Sequence, residues 1–262
     1  MNLRLGCLTD KGNHRSKNQD RIISRQCKIG NDILAITCVC DGIGSFKDSE
    51  IAADIVVRGI ELWIEGIGKL YPKVMQPDEL VEDLEFTIRE LNEVVCDYRK
   101  EKHIDIGCTM SVLLLFNTKY YIFHVGDSRI YVVRDDLVPL TQDQVVVRAV
   151  NGKEKKLLAN YIGKQEQLAL CRLHGLVQEG DLFITCSDGL YKKMTYADVK
   201  DILQMSQRQQ DLQKHCERLI KMVLERGEKD NISCSMIQIE KNALAWKGKR
   251  NAEISRNDET DF

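Results

Sequence analysis

The sequence contains no long hydrophobic run, and no stretch of its 262 residues approaches the ~20 apolar residues that a membrane-spanning helix requires. The opening residues, Met1–Cys7, follow a strand pattern and lack the apolar region and small-residue cleavage site of a signal peptide. We therefore predict a cytoplasmic protein that does not act at a membrane.

Positive charge is not in excess either, because 38 Lys and Arg residues stand against 40 Asp and Glu residues, for a net charge of −2. Such a balance gives no support to binding of a nucleic-acid backbone. The ten cysteines contain no CxxC pair and the five histidines show no ligand spacing. We expect reduced cysteines, mostly in the core, and neither a zinc site nor a disulfide framework.

The composition, 43% hydrophobic and 30% charged, is typical of a globular protein, and the length suits one domain. We predict a single domain over residues 1–240. Residues 241–262 are polar, mixed in charge and without periodicity, so we expect a mobile C-terminal tail.

Predicted strands and helices occur in groups along the chain. Strand patterns cover 3–9, 20–28, 33–40, 109–116, 120–125, 130–134, 181–186 and 231–239, and helical spacing of apolar residues covers 51–63, 80–95, 197–203 and 212–224. Because the strands do not alternate with helices as βαβ units do, a parallel doubly wound fold is disfavoured. The order favours an α+β fold in which helices flank a β-sandwich.

Four aspartates, Asp20, Asp41, Asp188 and Asp230, each lie at the edge of a predicted strand. A single Asp-Gly pair is ordinary turn chemistry, but the set of four indicates a site for two metal ions. Mg²⁺ and Mn²⁺ prefer carboxylate and carbonyl oxygens, and the carbonyl of Gly42 is available without a Cβ in the way. Arg15, on the loop before Asp20, offers a guanidinium that matches two phosphate oxygens.

The chain resembles a known family, the metal-dependent protein serine/threonine phosphatases of the PPM or type 2C group, in its single-domain bacterial form. The resemblance runs from about Gly6 to Ile239. Seven motifs carry it, in family order: Arg15 through Asp20, Asp41-Gly42-Ile43-Gly44, Gly107-Cys108-Thr109, Val125-Gly126-Asp127-Ser128-Arg129, Leu140-Thr141-Gln142-Asp143, Ser187-Asp188-Gly189 and Lys229-Asp230-Asn231-Ile232-Ser233.

This resemblance implies a four-layer α-β-β-α sandwich of two antiparallel sheets flanked by antiparallel helix pairs. It also implies a role for each site residue. Asp41 would bridge two Mn²⁺ or Mg²⁺ ions, Gly42 would contribute its carbonyl, and Asp188 with Asp230 would complete the first ion's shell. Asp20 would act through metal-bound water, Arg15 would bind the substrate phosphate, and Asp127 with Asp188 would hold a third, weaker ion.

The implied activity is hydrolysis of phosphoserine and phosphothreonine by in-line attack of a metal-bridging hydroxide, without a phosphoenzyme. The implied partners are phosphorylated proteins, as targets of a serine/threonine kinase, and the implied state is a monomer. Two alternatives stay open: a phosphatase-like binding module without catalysis, and a partner-switching phosphatase. The intact aspartates oppose the first, and Arg15 together with the lack of a sensor domain opposes the second.

Three features depart from the family pattern. Ser45 replaces the last glycine of Asp-Gly-x-Gly-Gly, and Ile43 stands where some eukaryotic members have a general-acid histidine. Between Asp143 and Gly163 the family's flap is truncated or missing. We therefore predict an open site with altered substrate selection.

Overall fold

The computed structural model describes residues 2–70, 76–150, 153–206 and 211–240. The predicted tail, 241–262, lies outside the described residues. The strands are β1 (Leu3–Asp10), β2 (Asp20–Ile29), β3 (Asp32–Asp41), β4 (Met110–Phe116), β5 (Lys119–Val125), β6 (Arg129–Val133), β7 (Leu137–Pro139), β8 (Val145–Val150), β9 (Lys153–Leu158), β10 (Cys171–Leu176), β11 (Leu182–Cys186) and β12 (Ile232–Ile239). The helices are α1 (Glu50–Leu70), α2 (Pro77–Lys102), α3 (Asp188–Tyr191), α4 (Tyr196–Ser206) and α5 (Leu212–Glu225).

Two five-stranded sheets form the centre of the molecule. Sheet I has the strand order β1-β12-β11-β6-β7, and sheet II has the order β10-β5-β4-β3-β2. Every pairing within them is antiparallel. A third sheet contains only β8 and β9, which form a hairpin.

Three layers of apolar side chains hold these elements together. One layer joins sheet II to α1 and α2, and includes Ile36, Val56 and Leu84. A second joins sheet I to the later helices, and a third lies between the sheets, where Leu113 of sheet II belongs to the same cluster as Phe183 of sheet I. Because each sheet buries both of its faces, the molecule has four layers of secondary structure.

The helices on each outer face run antiparallel. In the first pair, the indole N–H of Trp63 donates to Asp83 at 2.7 Å, and a Cβ added to Gly59 would collide with Leu91. In the second pair, Arg226 after the end of α5 forms an ion pair with Asp198 at the start of α4. The predicted α-β-β-α sandwich is confirmed.

Sequence patterns did not predict β7 to β10 or the single turn of α3. Strand β10 lies at the edge of sheet II with most of its residues exposed, so it lacks the apolar alternation that indicates a strand. The flap region, for which no structure was predicted, contains the β8–β9 hairpin. This region is therefore present as a hairpin. That it is shorter than the family's flap stays a prediction.

None of the helices in the described ranges is long and apolar enough to cross a membrane.

Candidate active site

All five predicted aspartates lie at the same end of the two sheets. Asp20 begins β2 and Asp41 ends β3, and the two are directly paired across the strands. Asp127 follows β5 by two residues, Asp188 follows β11 by two residues, and Asp230 precedes β12 by two residues. The antiparallel register brings these strand ends together, so the fold assembles the residues that the sequence had separated.

Asp20 is the most enclosed of the five. Its side chain is fully buried, and Oδ2 accepts hydrogen bonds from the hydroxyls of Ser187 and Ser233, each at 2.8 Å. Its Oδ1 is buried without a hydrogen-bond partner. Burial raises the pKa of Asp20 to about 6, against the opposing effect of the two serines. An orphaned carboxylate oxygen in such a place is the kind of atom that a cation or its water would satisfy.

Asp41 is held through its backbone. Its N–H donates to the hydroxyl of Thr109 at 3.1 Å, and its carbonyl accepts the N–H of Thr109 at 2.8 Å. The Thr109 hydroxyl also shares a 2.6 Å hydrogen bond with Ser128. Burial raises the pKa of Asp41 well above its usual range, and repulsion from Asp20 and the other three aspartates raises it further.

Gly42 allows the chain to pass close beside the opening loop. Its N–H donates to the carbonyl of Gln19 at 3.2 Å, and a Cβ at this position would approach that carbonyl to 2.8 Å. A side chain would therefore displace the turn that follows Asp41.

Asp127 lies on the tight turn between β5 and β6, after Gly126, whose φ of 104° favours glycine. The Asp127 carboxyl is half-buried, and burial together with repulsion from Asp188 raises its pKa to about 6. The turn is therefore shaped to present a carboxyl group toward the other aspartates.

Asp188 occupies the first turn of α3, and Lys192 one turn later binds its Oδ2. Its Oδ1 is buried and has no hydrogen-bond partner. Burial raises the pKa of Asp188, although Lys192 opposes this effect. Gly189 lets α3 pack against the loop before β12, since a Cβ there would lie 2.0 Å from the carbonyl oxygen of Asn231.

Arg15 lies on the loop between β1 and β2, half-exposed, and binds Asp230 at 2.8 Å. The hydrogen bond to Asp230 raises the pKa of Arg15, so this guanidinium is positive at every accessible pH. Gly44 borders the same group, since a Cβ there would lie 3.3 Å from a guanidinium nitrogen. The positively charged guanidinium of Arg15 is therefore held beside the acidic site, partly exposed to solvent.

The geometry and the chemistry of the site bear differently on whether it fits a divalent metal. Within the described part of the chain, no three or more His, Cys, Asp or Glu side chains are close enough together to hold a metal ion as they stand. The donor chemistry nevertheless fits: the donors are carboxylates, their charges repel one another, and Asp20 and Asp188 each have an unsatisfied buried oxygen. Two of the carboxylates, Asp188 and Asp230, are paired with the protein's own Lys192 and Arg15.

Sequence reasoning missed the residues that orient the aspartates. Ser187 and Ser233 hold Asp20, and Thr109 holds Asp41. All three stand inside the motifs of the sequence analysis, but none was assigned a role, and Thr109 and Ser233 fall within predicted strands. Lys192 carried no signal apart from its spacing of four residues from Asp188, which places both on one side of a helical turn.

Acidic residues beside an arginine, at the common end of two sheets packed between helix pairs, define the candidate active site. The family model described as protein phosphatase 2C matches residues 12–234, and the chain belongs to this family, the protein serine/threonine phosphatases.

Two curated relatives match nearly the whole chain. The serine/threonine phosphatase stp of Listeria innocua is 26% identical over 258 residues, which cover 92% of this chain and 96% of the relative. The protein phosphatase PhpP of Streptococcus pneumoniae is 22% identical, covering 90% and 98%.

Solved structures share the fold. A serine/threonine phosphatase of S. agalactiae superimposes with a TM-score of 0.73 at 23% identity, covering 91% of this chain and all of the other. The catalytic domain of the phosphatase PstP, solved with two manganese ions, gives a TM-score of 0.70 at 21% identity, with coverages of 91% and 98%.

Proposed function

We propose that this protein is a Mn²⁺- or Mg²⁺-dependent phosphatase that hydrolyses phosphoserine and phosphothreonine in proteins. The observation that carries the proposal is the meeting of Asp20, Asp41, Asp127, Asp188 and Asp230 at one end of both sheets, beside Arg15. The relative stp, named as a serine/threonine phosphatase, and the relative PhpP, named as a protein phosphatase, support the same class of reaction.

Each aspartate has a proposed ligand role. Asp41, with the carbonyl of Gly42, would hold two ions in common, Asp188 and Asp230 would complete one of them, and Asp127 would hold a third ion with Asp188. Asp20 would act through metal-bound water, since its Oδ1 is buried and unsatisfied. When bound, the ions supply Lewis acidity and an activated water for attack on phosphorus.

Arg15 is the proposed phosphate-binding residue. Its guanidinium now binds Asp230 at 2.8 Å, and it is half-exposed, so it can turn between a carboxylate and an incoming phosphate without crossing a packed core. A guanidinium positions two phosphate oxygens together and neutralises charge on the phosphoryl group during transfer.

In the described part of the chain, the thiols that adjoin the site are buried, which favours direct attack by water. Cys40 and Cys108 adjoin the Asp41-Gly42 turn, but both are fully buried. Burial raises the pKa of Cys40 well above its ordinary value, so it is not a thiolate at neutral pH. The departing alcohol then takes its proton from water.

The proposed partners are phosphoproteins produced by a serine/threonine kinase, encountered by a monomeric, cytoplasmic enzyme. A phosphatase-like module that binds without catalysis stays the second candidate. The complete set of carboxylates and Arg15 disfavours it, because a module without chemistry has no need for five mutually repelling acids.

The test is hydrolysis of a phosphothreonine peptide with Mn²⁺, with Mg²⁺ and with a chelator, by the wild type and by Asp41→Asn. Asp201→Asn, an exposed aspartate on α4, is the matched control for loss of one carboxylate. We expect metal-dependent turnover that Asp41→Asn abolishes and the control retains, and no radiolabelled phosphate on acid-quenched protein. Turnover that survives chelator, or none by folded wild type on several phosphopeptides, would contradict the proposal.

A further inference from the structure

The β8–β9 hairpin stands apart from both large sheets. Its strands, Val145–Val150 and Lys153–Leu158, pair only with each other, in register from Val145 opposite Leu158 to Val150 opposite Lys153. Both strands are largely exposed. The hairpin is thus an arm with two solvent-facing sides.

The base of this arm is joined directly to the turn that carries Asp127. The N–H of Gln144 donates to the carbonyl of Gly126 at 2.7 Å, and the side chain of Gln144 accepts the N–H of Gly126 at 3.1 Å. On the other strand, the N–H of Ala159 donates to the Gln144 carbonyl at 2.8 Å, and Asn160 donates to its side chain at 3.0 Å. The residue that precedes the arm, Gln144, therefore contacts Gly126, the direct neighbour of Asp127.

The arm carries a local excess of positive charge in a chain whose net charge is −2. Residues 145–158 contain four basic residues and one acidic residue, which gives +3. Arg148 lies directly opposite Lys155, so these two share one face, and Lys156 lies opposite Val147 on the other face. Like charges directly opposite one another destabilise a strand pair.

Several basic side chains elsewhere on the surface form ion pairs with acidic neighbours. Lys17 pairs with Glu50 at 2.6 Å and Arg25 pairs with Glu61 at 2.6 Å. Among the described residues, Arg148, Lys155 and Lys156 form no ion pair. Asp143, at the base of the arm, is paired with Arg129, which donates to both of its carboxylate oxygens at 2.8 Å.

We propose that the β8–β9 arm binds acidic residues next to the phosphorylated residue of the substrate, with Arg148 and Lys155 as specificity-determining residues. The inference rests on the proposed function, because it assigns a substrate class to the same site. Val146 lies on the face of Arg148 and Lys155 and is exposed, so an apolar residue among the acids would also find a contact.

The length of the arm limits where those acidic residues lie. A six-residue strand spans about 20 Å, the same length as about six residues of an extended peptide. Since the base of the arm adjoins the site, acids within about six residues of the phosphoresidue are in reach.

Two other readings of the charge make different predictions. Lysines on an exposed strand discourage pairing with strands of other chains. If that is their role, the rate of hydrolysis should not depend on acidic residues in the substrate. A nucleic acid would also meet a basic arm, but the arm's attachment beside a phosphatase site favours a phosphoprotein.

The experiment compares two phosphothreonine peptides of identical sequence except that glutamates flanking the phosphothreonine are replaced by glutamines in one. The variants are Arg148→Gln/Lys155→Gln and the charge-conserving Arg148→Lys. A double substitution of exposed residues on α1 and α5, Arg58→Gln/Lys214→Gln, removes the same charge from elements outside the arm. Hydrolysis of p-nitrophenyl phosphate, which has no flanking residues, reports on the site alone.

We expect the wild type to prefer the acidic peptide by about fivefold in kcat/KM, mainly through KM, which corresponds to two exposed ion pairs. The preference should fall to near one in the double variant and with added salt, and persist in Arg148→Lys and in the remote control. Activity on p-nitrophenyl phosphate should not change in any variant.

Equal rates for both peptides in the wild type would overturn the inference and leave the phosphatase intact. Failure of the wild type on both peptides and on p-nitrophenyl phosphate would instead overturn the proposed function, and the inference with it. Equal peptide rates together with binding of a single-stranded oligonucleotide that the double variant loses would assign the arm to nucleic acid.

Discussion

The buried carboxylate of Asp20 should make the metal-free protein less stable at neutral pH than at acidic pH. Burial raises the pKa of this group to about 6 in the folded state, from about 3.8 in the unfolded chain. Because Asp20 binds its proton more tightly in the folded state than in the unfolded state, its protonation contributes stability. This contribution is fully present below the unfolded pKa and is lost as pH rises through 6. The Asp20→Asn variant removes this titration.

The size of the effect follows from the two pKa values. Between pH 4.5 and pH 7.5, protonation of Asp20 changes the free energy of unfolding by about 2 kcal/mol. For a domain of this size that change moves Tm by roughly 4–8 °C. Asp41, which Asp20 repels, should also titrate lower in the variant, so the difference between the two proteins is at least this large.

The assay is thermal and urea unfolding of both proteins in chelator at several pH values from 4.5 to 7.5. Groups elsewhere titrate alike in both, so the wild-type minus variant difference isolates the acidic site. We expect the variant to gain about 2 kcal/mol relative to the wild type as pH rises across this range. Parallel pH profiles would refute the reasoning that the buried charge of Asp20 destabilises the metal-free fold.

Three further predictions concern the same end of the molecule. Arg15→Ala should raise KM for phosphopeptides by about 10- to 100-fold, as expected for loss of a charge-assisted hydrogen bond. The affinity for Mn²⁺, measured by calorimetry, should be unchanged or higher. An unchanged KM would exclude Arg15 from phosphate binding. Ser187→Ala should weaken Mn²⁺ binding about tenfold, since it orients Asp20, and an unaltered calorimetric titration would contradict that role. Gly189→Ala should lower the free energy of unfolding by more than 3 kcal/mol, because its Cβ would lie 2.0 Å from a backbone oxygen. Gly66→Ala, in the middle of a helix with nothing within 4 Å of the added Cβ, should raise it by about 0.5–1 kcal/mol. Denaturant unfolding measures both changes.

Long periodic segments made the sandwich predictable. The helical stripes of α1, α2 and α5 and the apolar strands β3 and β4 each bury one or two complete faces, so their periodicity follows directly from the layers. Strands that bury little gave no such pattern. Strand β10 is mostly exposed at a sheet edge. The β8–β9 hairpin is stabilised by its own pairing and by the contacts at its base, so its side chains need not be apolar and several are charged.

Motifs identified the five aspartates because ligand chemistry demands a particular residue type at a strand end. Whether those residues hold metal stays a prediction. The supporting side chains were not predicted because any hydroxyl at the right depth can orient a carboxylate, so Ser187, Ser233 and Thr109 resemble ordinary strand and turn residues. Their contacts depend on how two sheets pack, which no local pattern contains.

The site is also the place where polar contacts join the two sheets. Asp20 belongs to sheet II, while Ser187 and Ser233, which donate to it, belong to the end of sheet I. The loop before Asp20 is held by Asn231, whose side-chain oxygen accepts the N–H of Gln19 at 2.9 Å. The close-packed apolar side chains between the sheets resist sliding, and these hydrogen bonds add directional contacts at one end. The hydrogen bonds and the packing together fix the offset between the sheets, and the same offset places Asp41 of sheet II relative to Asp188 and Asp230 at the end of sheet I.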